Sequence, residues 1–388
     1  MIAEVGRFLT GLRRRFGASP TLTDLGRLAA FFAVVMIGAS TARWLGATDL
    51  IHSTAYAVGA SVLLAVGLFA STSGISLDQA RSDATLVLLA VTVGVLAKTA
   101  IIAGLMWAVF RRPEMAILGV VVAQIDPLSV VAIRKRSRLS PRAQNILAAW
   151  SSFDDPITVL MTMYLAAWLF AGTAGGTLDT VSGTGSAPLQ LLLNAALALV
   201  AYVLWRATGA RRATGMHRRR WLILQRALLL VVAVVAVWRT LMLGLATTGL
   251  FFRPGLTTFL ERATRIGFWL AALAVGLGIT HGVGLRAGLV LGAAAFGSQV
   301  LVGYVLTVRL PRADRIDLAL GHQNGITAIV LALLLEPRIP GTVAVVGPAV
   351  VVVNLLHGVT NGVWARLRRR AVQPSPVRSA DHSVKAVA

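Results

Sequence analysis

The chain contains no cysteine in 388 residues. Disulfides, thiolate catalysis and cysteine-ligated metals are thereby excluded, and redox compartment cannot be read from cysteine usage. Six histidines are the imidazole ligands that remain for a metal. Charge is also scarce, at 13% of residues, and only 15 of them are acidic. A soluble domain of this length could not hide the remaining apolar majority, 56% of the chain, inside one core. Several apolar stretches run for ~20 residues, the length that crosses ~30 Å of hydrocarbon at ~1.5 Å per residue. The natural solvent is a bilayer, and the expected fold class is an all-α polytopic membrane protein.

The formal charge of +22 does not point to nucleic acid. Basic residues fall in short clusters between apolar segments, at Arg13–Arg15, Arg134–Arg136, Arg218–Arg220 and Arg368–Arg370, with no aromatic-interleaved basic surface beside them. Clusters of this kind set membrane topology and meet anionic lipid headgroups. Spans are expected near 27–46, 53–76, 83–110, 114–136, 142–170, 187–207, 221–238, 240–253, 264–282, 285–309, 315–335 and 341–365. About twelve spans return both arginine-rich termini to one side, which the positive-inside rule makes the cytoplasm. Residues 1–26 then read as a retained N-terminal tail with no cleaved signal, 27–365 as the membrane domain, and 366–388 as a basic, disordered tail. The basic clustering suits a bacterial-type inner, or plasma, membrane.

A shift of 198 residues lays Asp126-Pro127 on Asn324-Gly325 and Pro113 on Pro311. The two related segments, 114–136 and 315–335, run in opposite directions through the expected topology, the arrangement of inverted-repeat transporters. Pro127 supplies no amide hydrogen, so the helix around Gln124-Ile125-Asp126-Pro127 should kink or unwind and free carbonyls. Gly325 is the second expected break, in the polar run Gly321–Thr327. Two discontinuous helices crossing at the midplane are the expected result.

Most acids lie in loops or at span ends; the deeper ones are Asp126, Asp154 and Asp155. An ionised carboxylate at mid-membrane costs at least ~2.5 kcal/mol, so such groups need water, a cation or a proton nearby. Pro156 is a third expected helix break, weakening the backbone bond to Ser152. Neighbouring helical residues point ~100° apart, so one of Asp154 and Asp155 faces the cavity and the other turns aside. Asp155 is expected to be the principal cation and proton carrier. Asp154 is either a second carrier or the partner of Lys98, which sits too deep in span 83–110 to snorkel. Asn324, Gln299 and Thr327 are expected to support the site, and His322 and His357 are candidate relays. The Gly-x-x-x-Gly spacings at Gly278 and Gly282, and through Gly284, Gly288 and Gly292, read as helix contacts.

At these residues the chain resembles the monovalent cation:proton antiporter superfamily, especially its sodium/proton exchanger branch. The stretch Leu118–Leu169 carries most of the likeness, with Ile125-Asp126-Pro127 standing for the family's Thr-Asp-Pro and Phe153-Asp154-Asp155 for its later Asn-Asp or Asp-Asp pair. Weaker echoes at Gly74–Asp78 and Gly321–Leu333 extend it over roughly residues 53–365. The resemblance implies two inverted core bundles, near 83–170 and 285–365, moving against a dimerising panel. It also implies a homodimer. The departures are specific: Ile125 replaces Thr, Trp150 stands where a Glu is frequent, Asn324 where Arg is frequent, and Gln299 nearest the family's basic residue in span 285–309. Lys98 is the basic group available to substitute from the opposite repeat.

The expected activity is exchange of a monovalent cation, Na+ ahead of K+ or Li+, for H+ by alternating access. Asp155 and Asp126 would hold the transported Na+ or K+, in competition with protons. No enzyme chemistry and no cofactor are called for, and the expected partners are the cation, protons and membrane lipids, not nucleic acid. A cation-coupled solute symporter on the same architecture is the alternative from another transport class, and a non-transporting sensor or scaffold the third. The Gly-x-Gly-Asp of an intramembrane aspartyl protease is missing.

Overall fold

The computed structural model describes residues 20–46, 48–74, 83–125, 140–170, 187–208, 215–279, 282–321 and 326–372. Across these the backbone is almost entirely helical. Hydrocarbon offers no hydrogen bonds to free N–H and C=O groups, so a lipid-embedded chain must bond its backbone within each segment. The helices are α1 (Pro20–Trp44), α2 (Thr54–Ser73), α3 (Ala84–Phe110), α4 (Pro113–Val121), α5 (Pro141–Phe170), α6 (Ala187–Ala207), α7 (Gly215–Trp238), α8 (Met242–Gly249), α9 (Thr257–Gly278), α10 (Leu285–Leu306), α11 (Arg312–Ala319), α12 (Ile326–Leu335) and α13 (Thr342–Val372).

Local chemistry sets many of the boundaries. Pro113 and Pro141 open α4 and α5, where a missing amide hydrogen costs nothing. Ser53 Oγ accepts from Tyr56 N at the start of α2, and Ser140 Oγ accepts from Ala143 N at the start of α5. Thr240, in the left-handed region at φ 55°, separates α7 from α8. The segment expected as span 240–253 is therefore helical over only eight residues, well under the ~20 that cross hydrocarbon as one helix.

Six helices among the described residues are long and apolar enough to cross a membrane, within α2, α3, α6, α7, α10 and α13. Their large exposed side chains, such as Leu192, Leu199, Leu230 and Val234, form the lipid-facing surface of a membrane protein. Between helices no water is released, so close packing replaces the hydrophobic effect as the adhesive. Gly288 and Gly292 show it: a methyl at either would press on Val345 O or Ala349 O, the backbone of α13. Gly278 meets Val343 in the same way, whereas Gly282 faces open space at φ 124° and marks a turn instead of the expected helix contact.

Two prolines lie inside continuous helices. Pro156 does not interrupt α5, contrary to the expected break. The Ser152 carbonyl that it leaves free accepts from Ser71 Oγ of α2 at 3.3 Å, which satisfies the lost bond and lets the helix run on. Pro348 in α13 repeats the device, its freed Ala344 carbonyl accepting from Gly284 N at 3.0 Å.

The buried side chains form two apolar clusters. The larger includes Ile102 and Met106 of α3, Val159 and Ala166 of α5, and Ala328–Leu335 of α12. The smaller includes Val87 and Val91 of α3, Ile125, Ala143–Trp150 of α5 and Leu318 of α11. Along α3, along α5 and between Ala123 and Ile125 the apolar residues switch from one cluster to the other. Polar residues fill the gap.

Candidate functional site

Between the two clusters lie Lys98 on α3, Gln124 beyond α4, Asp154, Asp155 and Thr158 on α5, and Thr327 at the start of α12. All are buried: Lys98, Gln124, Asp154 and Thr158 are 0% exposed and Asp155 is 2% exposed. Charged groups at such depth persist only with partners.

Lys98 and Asp154 are partners, with Nζ 2.7 Å from Oδ2. The same oxygen accepts from Ile125 N at 2.8 Å, where the chain has left α4. α3 contains a π-helical stretch, Ala90–Gly94, immediately before the turn that carries Lys98. Inserting a residue in a helical turn rotates all that follows by ~100°, which here turns the ammonium toward α5. The ammonium also stands 5.3 Å from the ring centroid of Trp150.

Asp155 takes donors from the chain beyond α4 and from α12. Thr327 Oγ1, one residue into α12, donates to Oδ2 at 3.2 Å. Gln124 reaches the other oxygen. With its amide oriented so that the oxygen accepts from Ala328 N, its nitrogen donates to Asp155 Oδ1 at 3.1 Å and to Thr158 Oγ1 at 2.9 Å. Gln124 thus ties the chain beyond α4 to the first turn of α12 through the carboxylate. Thr158 Oγ1 also lies against the Asp154 and Asp155 carbonyls, at 2.9 and 3.0 Å.

The acids are therefore held differently. Asp154 is neutralised by a fixed ammonium. Asp155 accepts from a hydroxyl and an amide, groups that orient the carboxylate without carrying charge themselves. Asp126, Pro127, Asn324, Gly325 and His322 lie outside the described residues, directly after Ile125 and directly before Ile326. Gln299 is fully buried on α10, its amide nitrogen 3.5 Å from Leu318 O. Its oxygen has no hydrogen-bond partner among the described residues. His357 is buried on α13 and packs edge-on against Phe296 at 4.9 Å.

Sequence reasoning missed Thr158, the side-chain role of Gln124, and Glu336. Thr158 was findable, because Ser151, Asp154, Asp155, Thr158 and Thr162 recur at helical spacing on one face of α5. Glu336 is buried and closes the α12–α13 turn by accepting from Gly341 N at 2.8 Å and Val343 N at 2.6 Å. At the helix ends further pairs join elements: Asp83 with Arg142, Asp317 with Arg368 and Trp364, and Asp314 with Ser140, the last tying α11 to the start of α5.

No family model and no curated protein matches the chain. Its backbone is similar to that of the sodium proton antiporter MjNhaP1 from Methanocaldococcus jannaschii at pH 8, with a TM-score of 0.60 and 14% identity over 88% of this chain and 99% of that one. An electron-microscopy structure of the same antiporter aligns with a TM-score of 0.56 and 15% identity over 97% of this chain and all of that one. At such identity the likeness is one of fold, and it covers nearly the whole length of both chains: this all-helical membrane protein has a sodium/proton exchanger-like fold.

Proposed function

We propose that the chain exchanges a monovalent cation, Na+ first and K+ or Li+ as alternatives, for protons across the bilayer. The carrying observation is the Asp155 carboxylate, buried between two apolar clusters where both interrupted segments end. A carboxylate there binds a dehydrated cation or a proton, never both, and that competition alone couples the two flows. The fold shared with a sodium proton antiporter supports the reading.

In this reading Asp155 is the carrier, Asp126 supplies a second oxygen ligand from the loop after Ile125, and Thr327, Asn324 and Gln299 complete a neutral shell. Lys98 neutralises Asp154 when no ion is bound and is released when a proton or cation takes its place. The long spans and the shorter helices together make about twelve membrane passes, arranged as inverted repeats with two crossing discontinuous helices. Core bundles near 83–170 and 285–365 move against the other helices to give alternating access. The protein is a homodimer in the inner membrane, its arginine-rich termini in the cytoplasm against anionic lipid.

The test is flux. In proteoliposomes carrying a pH-sensitive dye, Na+, K+ or Li+ added outside an acid-loaded lumen should collapse the gradient, and Asp155→Asn should abolish the response while the protein stays folded and monodisperse. Full flux through the Asn variant would sink the assignment.

A further inference from the structure

We infer that Trp150 is a positioning residue for Lys98: its indole face holds the ammonium charged and in place while Asp154 is occupied by a proton or a cation. This rests on the exchange reading above and concerns what that reading leaves open, the fate of Lys98 once its anion is taken.

Trp150 lies four residues before Asp154 on α5, so ring and carboxylate share one helix face. The ring is fully buried, and the Lys98 ammonium sits 5.3 Å from its centroid and 2.7 Å from Asp154 Oδ2. A lysine ammonium has three donors. Among the described residues, the hydrogen bond from Lys98 goes to Asp154. When Asp154 is taken, the π face remains in contact with the ammonium, beside the more distant charge of Asp155. Aromatic faces attract cations most strongly where water is absent, and tryptophan has the strongest face of the three ring types.

The ring itself is placed for this task by packing. Its indole N–H has no hydrogen-bond partner among the described residues, so no polar anchor dictates its orientation. Gly94, in the π-helical stretch of α3, lies beside the ring: a methyl there would make ordinary contact with the indole Cζ2 at 3.6 Å and would press on Leu306 Cδ1 at 2.7 Å. The stretch that turns Lys98 inward thus also flanks the ring that receives it. A carboxylate at position 150 would titrate and compete with Asp154 for the transported ion. An indole attracts the ammonium without titrating.

Among the described residues, other charges around Lys98 are few. α5 contributes Asp154 and Asp155, while α4 and α10, which also pack on α3, carry their charges, Glu114 and Arg286, in their first turns. Those two acids, the ring and, in the exchange reading, Asp126 beyond Ile125 set the balance between ammonium and amine at Lys98.

The experiment replaces Trp150 in the full chain with mono-, di- and trifluorotryptophan by nonsense suppression, which weakens the π face with little change in shape, alongside Trp150→Phe. Sodium- and potassium-driven proton flux is measured against pH, and so is the melting temperature in detergent. The limb of each profile set by Lys98 should move to lower pH stepwise with fluorination, by about one pH unit at the far end, with the maximal rate kept. Profiles that do not move with fluorination overturn the inference, even if Trp150→Phe alone slows flux, because packing then explains the residue. Absence of flux in the unmodified protein would defeat the exchange reading instead, and the melting profiles would still decide the role of Trp150.

Discussion

The two halves of the molecule treat the same buried level in opposite ways. On the first-half side, α3, the chain after α4, and α5 bring an ammonium, two carboxylates and an amide to one point. On the second-half side, the matching level of α10 and α12 offers Gln299, Thr327 and the Ala328 amide, all neutral. Among the described residues, the charge at this level thus comes from the first half, while Thr327 and the Ala328 amide of the second supply orientation. The Lys98–Asp154 pair is closed within three neighbouring elements.

The comparison breaks most sharply at Asp155→Asn, where loss of flux is expected to be complete. Next is Lys98→Ala. Stranding the buried Asp154 should cost about 3–5 kcal/mol, seen as a lower melting temperature, because the remaining charge has no partner. The double change Lys98→Met with Asp154→Leu should recover much of that stability, and equal destabilisation by both would show that the pair is not what matters. Thr327→Val tests the neutral side. Losing one hydrogen bond to a carboxylate should raise the apparent KM for the cation about tenfold with the maximal rate little changed. The smallest effect is expected at Gln299→Leu: with one amide atom unpartnered among the described residues and the other at the limit of bonding, melting should shift by less than about 1 kcal/mol equivalent. A raised cation KM there without loss of stability is what a place in the neutral shell requires, and an unchanged KM would remove Gln299 from it.

Much of this was legible in the residues. Apolar runs place α2, α3, α5, α6 and α10 within about three residues of their observed ends, since hydrophobic length and helix length are the same quantity in a bilayer, while α7 begins and α13 ends in basic turns beyond the apolar run. The depth of Lys98 and the need for an anion beside it also follow from position alone. What misled was proline. Pro156 reads as a break, but a break requires the freed carbonyl to be left without a donor, and Ser71 from a helix 81 positions away in sequence supplies one. The brevity of α8 was equally hidden, because a left-handed Thr240 is a tertiary outcome that no propensity announces.

By itself the sequence determined the solvent, the helical class, the absence of thiol chemistry, and which few charges must be buried, because composition and span length depend only on residue counts and transfer free energies. Only the tertiary structure decided how those charges are divided. Whether Lys98 meets Asp154 or Asp155 turns on a π-helical stretch in α3, and the company of Asp155 on where α4 ends and α12 begins. Both are matters of angle and register between elements far apart in the chain, and a one-dimensional pattern carries no such angle.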